Sequence, residues 1–414
     1  MKPWQTLPTA TFGAATFAAL VASAAPALAH GGEEITEQTA WSAWHLTPDI
    51  VIATALVAAV YAAGMVRRRT IKVPAAWWRH ALFFAGLGAV FVALQSPIDP
   101  IAEHLFFVHQ IQHLLLRMIG PMLLALSWPE GLLTAGLPTA VRRTILIPLV
   151  SNGAVRKTFG VLAHPAVATI LFIAVLYVWE IPRYHNLALL NEPVHYLMHV
   201  TMLFAGLLFW WRIFDRRAPK SVLDFDDGDK RWWQLLHDHE SPYGFGHGIR
   251  VMMLSLVILS NILLGAYTAL KSVELYPAYD VLGRLFGYSA LGDEQIGGVI
   301  IWLPSSMMCL IAVLIVLHLW GLHETRMVER HSTQSRSNSA VLLFPTTGAA
   351  LIERARPKNR AMAIAFGTFV FTVFATTMLI GILYDMPGGI GTGVAAGPDM
   401  VKHAAHGATF PTLQ

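Results

Sequence analysis

Charged residues are scarce in this chain of 414 residues, because Asp, Glu, Lys and Arg together make up only 13%. That share is about half of what is usual in soluble proteins. Hydrophobic residues make up 55%, and the mean hydropathy is +0.54. Cysteine occurs once, at Cys309, which excludes a disulfide scaffold. These shortages exclude a soluble enzyme and a disordered protein, and they predict an integral membrane protein.

Signature motifs of nucleotide-driven proteins and of common metalloenzymes are also missing. The sequence contains no Gly-x-x-x-x-Gly-Lys, Cys-x-x-Cys, His-Glu-x-x-His or Asp-Lys-Thr-Gly. These absences argue against a hydrolase and against a copper-pumping ATPase. We therefore expect a protein that is not an enzyme.

The first 29 residues are typical of a secretory signal. Lys2 precedes the apolar run 10–25, and Ala27-Leu28-Ala29 matches a cleavage sequence. We expect the mature chain to begin with an outer segment, 30–47.

Eight later segments are long and apolar enough to cross a lipid bilayer, since a span needs about 20 mainly apolar residues. The predicted fold class is therefore all-α: a polytopic transmembrane helix bundle over 48–383, with a weakly ordered outer tail at 384–414. The predicted spans are 48–66, 78–96, 104–127, 164–181, 194–212, 249–270, 296–318 and 361–383.

The distribution of basic residues orients this bundle. With the mature N-terminus outside, 23 of the 29 Lys and Arg residues fall in the inner connections and 4 in the outer segments. This bias follows the positive-inside rule. It explains the net charge of +4 without a nucleic-acid partner. The inner connection 212–250 is expected to be an irregular loop.

Two predicted spans each carry a pair of histidines at i and i+4. His109 and His113 lie in the third span, and His195 and His199 lie in the fifth. Each pair occupies one face of its helix, and both pairs lie at a similar depth near the outer side. Two such helices, if they face each other, supply up to four nitrogen ligands for a metal. The alternative is that these histidines hydrogen-bond to carbonyls or to one another and hold the bundle together.

Two methionines extend the stripe on the fifth span. Met198 and Met202 follow His195 at i+3 and i+7. Thioether sulfur beside imidazole nitrogen favours copper, and Cu(I) in particular. Two other functions stay open: a membrane cytochrome that ligates haem with facing histidines, and a transporter of copper or another small solute.

Further polar residues near the outer side are weaker metal-site candidates. The carboxylates among them either orient metal-bound imidazoles or are hydrated loop ends. Arg117, deep in the third span, is expected to meet a carboxylate, a bound anion or helix-end carbonyls. The weaker candidates are His30, His104, Asp99, Glu180, His185 and Asp293.

Four strings of the sequence, taken together, resemble the CtaG family of polytopic cytochrome c oxidase assembly factors, the group associated with caa(3)-type oxidases. The resemblance covers roughly residues 45–325. The strings are Ser96-Pro97-Ile98-Asp99, His109-Gln-Ile-Gln112-His113, Gly206-Leu-Leu-Phe209-Trp210-Trp211 and Asp293-Glu294-Gln295-Ile-Gly297-Gly298 through Trp302-Leu-Pro304.

The resemblance implies a protein of the bacterial inner (cytoplasmic) membrane that helps to mature haem–copper oxidase by handling copper. The implied partners are oxidase subunits and a periplasmic copper chaperone. One string departs from the family. Relatives often read Trp-His-x-Pro followed by Tyr-Asp, whereas this chain reads Trp179-Glu180-Ile181-Pro182 and Tyr184-His185, with acid and imidazole exchanged.

Overall fold

The computed structural model describes residues 35–44, 46–70, 75–217 and 245–334, together with scattered positions between 353 and 375. The expected signal, most of the eighth predicted span and the tail lie outside the described residues. Contacts divide the chain into two units, Met1–Gln334 and Ser335–Gln414. In the second unit, the described positions are all helical.

Helices account for all regular structure in the described residues of the first unit. Two π-helical turns, Leu115–Ile119 and Arg142–Leu146, interrupt them. In chain order, the α-helices are α1 (Pro48–Thr70), α2 (Trp77–Gln95), α3 (Ile98–Ala102), α4 (Phe106–Leu114), α5 (Gly120–Ser127), α6 (Glu130–Gly136), α7 (Thr139–Val141), α8 (Ile147–Ser151), α9 (Gly153–Leu162), α10 (Pro165–Glu180), α11 (Pro182–Leu189), α12 (Glu192–Ile213), α13 (His247–Leu270), α14 (Ala278–Leu282) and α15 (Ala290–Gln334).

Five helices of the described region, namely α1, α2, α12, α13 and the Ala290–Arg326 part of α15, are long and apolar enough to cross a membrane. Three helix pairs pass the same test together but bend sharply between their halves, by 67° to 74°. The described residues therefore hold five spans, or up to eight if each bent pair is one span. This confirms the predicted all-α membrane bundle.

The seventh predicted span begins earlier than the sequence suggested. The prediction started it at 296 because Asp293 and Glu294 looked like loop residues, yet α15 begins at Ala290 and includes both. Each carboxylate has a basic partner: Arg284 pairs with Asp293, and Lys271 pairs with Glu294. Because both charges are compensated, the helix continues through them.

The third span contains a π-helical turn directly after the two histidines of α4. Proline has no N–H and so cannot bond to the carbonyl four residues before it. Pro121 therefore cannot give the carbonyl of Arg117 its usual i+4 hydrogen bond, and the Trp210 indole Nε1 donates to that oxygen at 3.1 Å. The carbonyl freed at this irregular turn of the third span is thus hydrogen-bonded to α12.

Gly206 allows α12 to lie directly against this turn. A Cβ atom at Gly206 would sit 2.6 Å from the Arg117 carbonyl oxygen and 2.9 Å from Pro121 Cγ. The missing side chain therefore sets the distance between the two elements that carry the histidine pairs. Inward of the histidines, aromatic side chains fill the apolar core, including Phe172, Phe209, Trp210 and Phe214.

Replacement of Gly206 by alanine should lower the free energy of unfolding by about 1–3 kcal/mol, because the added methyl group collides with backbone. Gly88→Ala is the matched control, since a Cβ at Gly88 meets nothing within 4 Å. Denaturant unfolding of both variants in detergent measures the difference. Equal stability of the two variants would contradict the close approach of α12.

Candidate metal centre

Four histidine side chains from two helices come together inside the bundle. Within each pair, His109–His113 on α4 and His195–His199 on α12, the ring centroids are 4.4 Å apart. Across the helices, the His109 ring is 5.2 Å from that of His195, and the His113 ring is 5.9 Å from that of His199. All four side chains are buried. The structure thus brings together the two histidine pairs that the sequence placed on separate helices.

Local capping fixes where these two helices begin. The Asp293 carboxylate accepts hydrogen bonds from the backbone N–H groups of Phe106 and Phe107 at 3.0 and 2.9 Å. The Asn191 side chain accepts from Val194 N at 3.2 Å at the start of α12. Each cap satisfies donors that a helix leaves open at its first turn. Both histidine pairs therefore lie in the first turns of capped helices.

Three of the four histidines present nitrogen atoms to one point. Ligand atoms of His109, His113 and His199 all lie within 4.8 Å of one another. Nitrogens bound at about 2.0 Å to a tetrahedral ion are about 3.3 Å apart. Binding one ion would therefore require these three nitrogens to move closer together, and the His195 ring lies beside that of His109.

Three buried ring nitrogens in this cluster have no hydrogen-bond partner: Nε2 of His109 and both nitrogens of His113. An unpaired buried polar atom costs about 1–3 kcal/mol. Most buried polar groups in proteins are paired, so unpaired atoms on two adjacent rings need an explanation. A neutral imidazole has a lone pair on only one of its two ring nitrogens, so a bound metal ion would account for Nε2 of His109 and for one nitrogen of His113.

Two carboxyl groups lie just before the start of α4, outside the spans. Glu103 Oε1 is 3.9 Å from His195 Nδ1, and Asp99 Oδ1 accepts from Gln112 Nε2 at 2.5 Å. Burial raises the pKa of Glu103 to about 7, with a contribution from the charge of Glu192. Burial also raises the pKa of Asp99 to about 8, with a contribution from Glu103. Neither group therefore carries a full negative charge near pH 7.

The two candidate thioethers lie in apolar surroundings. Met198 and Met202 are fully buried and share a core cluster with Phe106, Leu176 and Trp179. Apolar packing accounts for their burial. Their role as metal ligands stays a prediction.

The weaker candidates fall into different environments. His185 on α11 is buried, and its ring centroid lies 5.1 Å from that of His109. Glu180 accepts from Gln110 Nε2 at 2.8 Å. The His104 ring bonds to the Gly283 carbonyl at 2.7 Å near the surface.

Two of the weaker candidates need separate comment. His30 lies outside the described residues. Asp293 caps α4 and pairs with Arg284, so its two oxygens are already engaged away from the imidazoles.

Tyr279 is the main feature of the cluster that sequence reasoning missed. Its hydroxyl lies 2.8 Å from His109 Nδ1 and 2.8 Å from His185 Nε2. Tyr279 is 170 positions beyond His109, on the short helix α14. No spacing rule links two positions so far apart, and a single tyrosine in a connecting segment carries no signal of its own.

Arg117 lies one turn inward of His113. Its Nε and Nη2 donate to the Phe172 carbonyl at 3.3 and 3.2 Å, and its guanidinium carbon is 3.8 Å from the centre of the Phe172 ring. The partner of Arg117 is therefore a carbonyl in the middle of α10, not the carboxylate, anion or helix-end carbonyl that was expected. A small cavity lies beside Arg117 and is also lined by Gln110 and His113.

The fold and the cluster together define a multi-helix membrane protein with imidazoles gathered between two spans. A family comparison gives this class a name: the family profile of the cytochrome c oxidase caa3 assembly factors matches residues 59–223 and 230–321. The chain belongs to this family, which confirms the resemblance seen in the short motifs.

Three mycobacterial proteins are similar to this chain, and all three carry the name uncharacterized protein. The relative from Mycobacterium leprae is 25% identical over 299 residues, which are 70% of this chain and 41% of the relative. Those from Mycobacterium bovis and Mycobacterium tuberculosis are each 23% identical over 306 residues, which are 72% of this chain and 42% of the relative. The chain thus spans about two fifths of the length of these relatives. No solved structure matches it.

The position of Asp293 predicts a structural effect when its charge is removed. Asp293→Asn should lower the free energy of unfolding by about 1–3 kcal/mol, because one amide oxygen cannot replace both carboxylate oxygens on α4 and Arg284. Asp280→Asn is the matched control, since Asp280 is an exposed partner of the same Arg284 and such pairs contribute below about 1 kcal/mol.

Denaturant unfolding and metal analysis of both variants separate the possible roles of Asp293. We expect the copper content of Asp293→Asn to equal that of the wild type. Loss of copper without loss of stability would instead make Asp293 a ligand.

Proposed function

We propose that this chain binds copper as Cu(I) between α4 and α12 and delivers it, on the outer side of the membrane, to a subunit of a haem–copper oxidase. The observation that carries the proposal is the convergence of His109, His113 and His199, whose ligand atoms lie within 4.8 Å of one another. Membership of an oxidase assembly family supports the destination.

The donor set and its burial favour copper over other metals. Imidazole suits copper and zinc, whereas Mg²⁺ and Ca²⁺ prefer oxygen ligands. Burying charge is costly, and Cu(I) brings a single positive charge into a set of neutral rings while Zn²⁺ brings two. Met198 and Met202, on the same stripe of α12 as His195 and His199, are soft donors that would suit Cu(I).

The charges around the cluster favour release outward. Arg117 holds a buried positive charge one turn inward of His113. Like charges repel more strongly in a low-dielectric interior than in water, so Arg117 opposes movement of a copper ion toward the inner side. At the opposite edge of the cluster lies Glu103, which is only partly ionised near pH 7 and whose side chain is 34% exposed. Delivery on one side of the membrane therefore fits the site better than transport across it.

Ligand exchange is the chemistry that such a site supports. A periplasmic copper chaperone would supply Cu(I), the imidazoles would hold it, and an oxidase subunit would take it through stronger or more numerous ligands. Each step replaces one donor by another without a change of oxidation state and without nucleotide hydrolysis.

The double variant His113→Ala/His199→Ala tests this function. Wild-type protein purified in detergent should hold copper in equimolar amount, and the double variant should bind Cu(I) more than about 100-fold less tightly, because removal of ligands costs more than the 10- to 100-fold that loss of an outer partner costs. Metal analysis and competition with a Cu(I) chelator measure both quantities.

His318→Ala is the matched control, since His318 is an exposed histidine on α15, and it should leave copper binding unchanged. Oxidase activity of cells that carry the double variant should fall while the protein still accumulates. Equal copper affinity of wild type and double variant would refute the site. A Soret band in the optical spectrum of the wild type would point to haem.

A further inference from the structure

A chain of hydrogen bonds connects His109 to the end of α10. The Trp179 carbonyl oxygen lies 3.1 Å from His185 Nδ1, His185 Nε2 lies 2.8 Å from the Tyr279 hydroxyl, and that hydroxyl lies 2.8 Å from His109 Nδ1. His185, Tyr279 and His109 are all completely buried. The chain thus runs through three helices, α11, α14 and α4, and ends inside the imidazole cluster.

The direction of every hydrogen bond in this chain follows from its first member. A carbonyl oxygen can only accept, so His185 Nδ1 carries the proton. In a neutral imidazole the other nitrogen is then an acceptor, so the Tyr279 hydroxyl donates to His185 Nε2. A phenol has one hydroxyl hydrogen, and that of Tyr279 is already donated to His185 Nε2. The remaining bond must therefore run from His109 Nδ1–H to the Tyr279 oxygen.

Burial disfavours a charged His185. With both ring nitrogens protonated, His185 Nε2–H would donate to the Tyr279 oxygen, the phenol hydrogen would go to His109 Nδ1, and His109 would carry its own proton on Nε2. That arrangement would place an uncompensated charge in a buried position, which is costly. The neutral arrangement satisfies every group in the chain.

Resting on the proposed function, we propose that Tyr279 is a positioning residue that holds His109 in the Nδ1–H tautomer and so keeps His109 Nε2 unprotonated for the metal ion. Histidine that binds a metal usually donates its other N–H to a fixed partner, which sets the ring orientation and the tautomer. Nε2 is the atom of His109 that lacks a hydrogen-bond partner, and metal binding requires a deprotonated nitrogen.

Neighbouring contacts hold Tyr279 in this position. The Glu294 carboxylate accepts from the backbone N–H groups of Leu275 and Tyr276 at 3.0 Å each, which fixes the segment that leads into α14. The Arg284 guanidinium carbon lies 5.4 Å from the centre of the Tyr279 ring. The connection between α13 and α15 thus carries the phenol to the cluster on a fixed backbone.

Tyr279→Phe tests this role because it removes the hydroxyl and keeps the ring. Cu(I) affinity, measured by chelator competition, should fall about 10- to 100-fold, the usual cost of losing such a partner. Tyr276→Phe is the matched control: Tyr276 is buried in the same segment and donates to the Glu180 carbonyl at 2.8 Å, so a hydrogen bond is also lost there. We expect Tyr276→Phe to leave the Cu(I) affinity unchanged.

The tautomer itself gives a second measurement that ordinary loss of packing would not change. In metal-free protein labelled with ¹⁵N-histidine, the His109 signal, assigned by its absence in His109→Ala, should show the Nδ1–H tautomer. In Tyr279→Phe it should shift to the Nε2–H form or to a mixture. An unchanged tautomer, or an unchanged Cu(I) affinity beside a wild type that binds Cu(I), overturns the proposal.

These outcomes separate the positioning role of Tyr279 from the proposed function on which it rests. If wild-type protein binds no Cu(I), the proposed function is wrong, and the tautomer measurement alone still decides whether Tyr279 fixes His109. If wild-type protein and Tyr279→Phe bind Cu(I) equally well, the positioning role of Tyr279 is wrong and the proposed function stands.

Discussion

The absence of bulk water around the imidazole cluster is the constraint on which the account depends. His109, His113, His195 and His199 are buried between two spans, where charge is expensive and an unpaired polar atom is costly. Neutral imidazoles avoid the cost of burying charge, and a bound monovalent ion would remove the cost of leaving ring nitrogens unpaired. The same surroundings make the exact tautomer important, because a buried ring that points an N–H at the ion cannot readily reorient or exchange its proton with solvent.

Charged residues near the starts of α4 and α15 organise the cluster without entering it. Asp293 caps the helix that carries His109 and His113, while Glu294 fixes the segment that carries Tyr279. Their basic partners, Arg284 and Lys271, come from the same connection between α13 and α15. Two adjacent acids at the start of α15 therefore connect this helix to α4 and to the segment that carries Tyr279. These contacts explain why charged residues lie so close to the apolar part of the bundle.

Local periodicity predicted the spans and the two histidine pairs, because i and i+4 positions share a helix face whatever the surroundings. The distribution of basic residues predicted the direction of each span, and from that direction both histidine pairs were predicted to lie at a similar depth. The predicted start of the seventh span was wrong because the ion pair that compensates the charge of Asp293 is a tertiary contact with Arg284, which the local sequence does not show. Tyr279 was missed for the same reason: its role arises only when a distant connection folds over α4. The hydrogen-bond partners of Glu180 and the carbonyl partner of Arg117 likewise depend on which helices are neighbours, which spacing along one helix does not encode.

X-ray absorption at the copper edge of Cu(I)-loaded wild-type protein tests the central claim most directly. The account predicts a first shell dominated by nitrogen at about 2.0 Å, with the outer-shell scattering of three or more imidazole rings. A first shell dominated by sulfur at about 2.3 Å, or one without imidazole scattering, would contradict it and place the metal elsewhere.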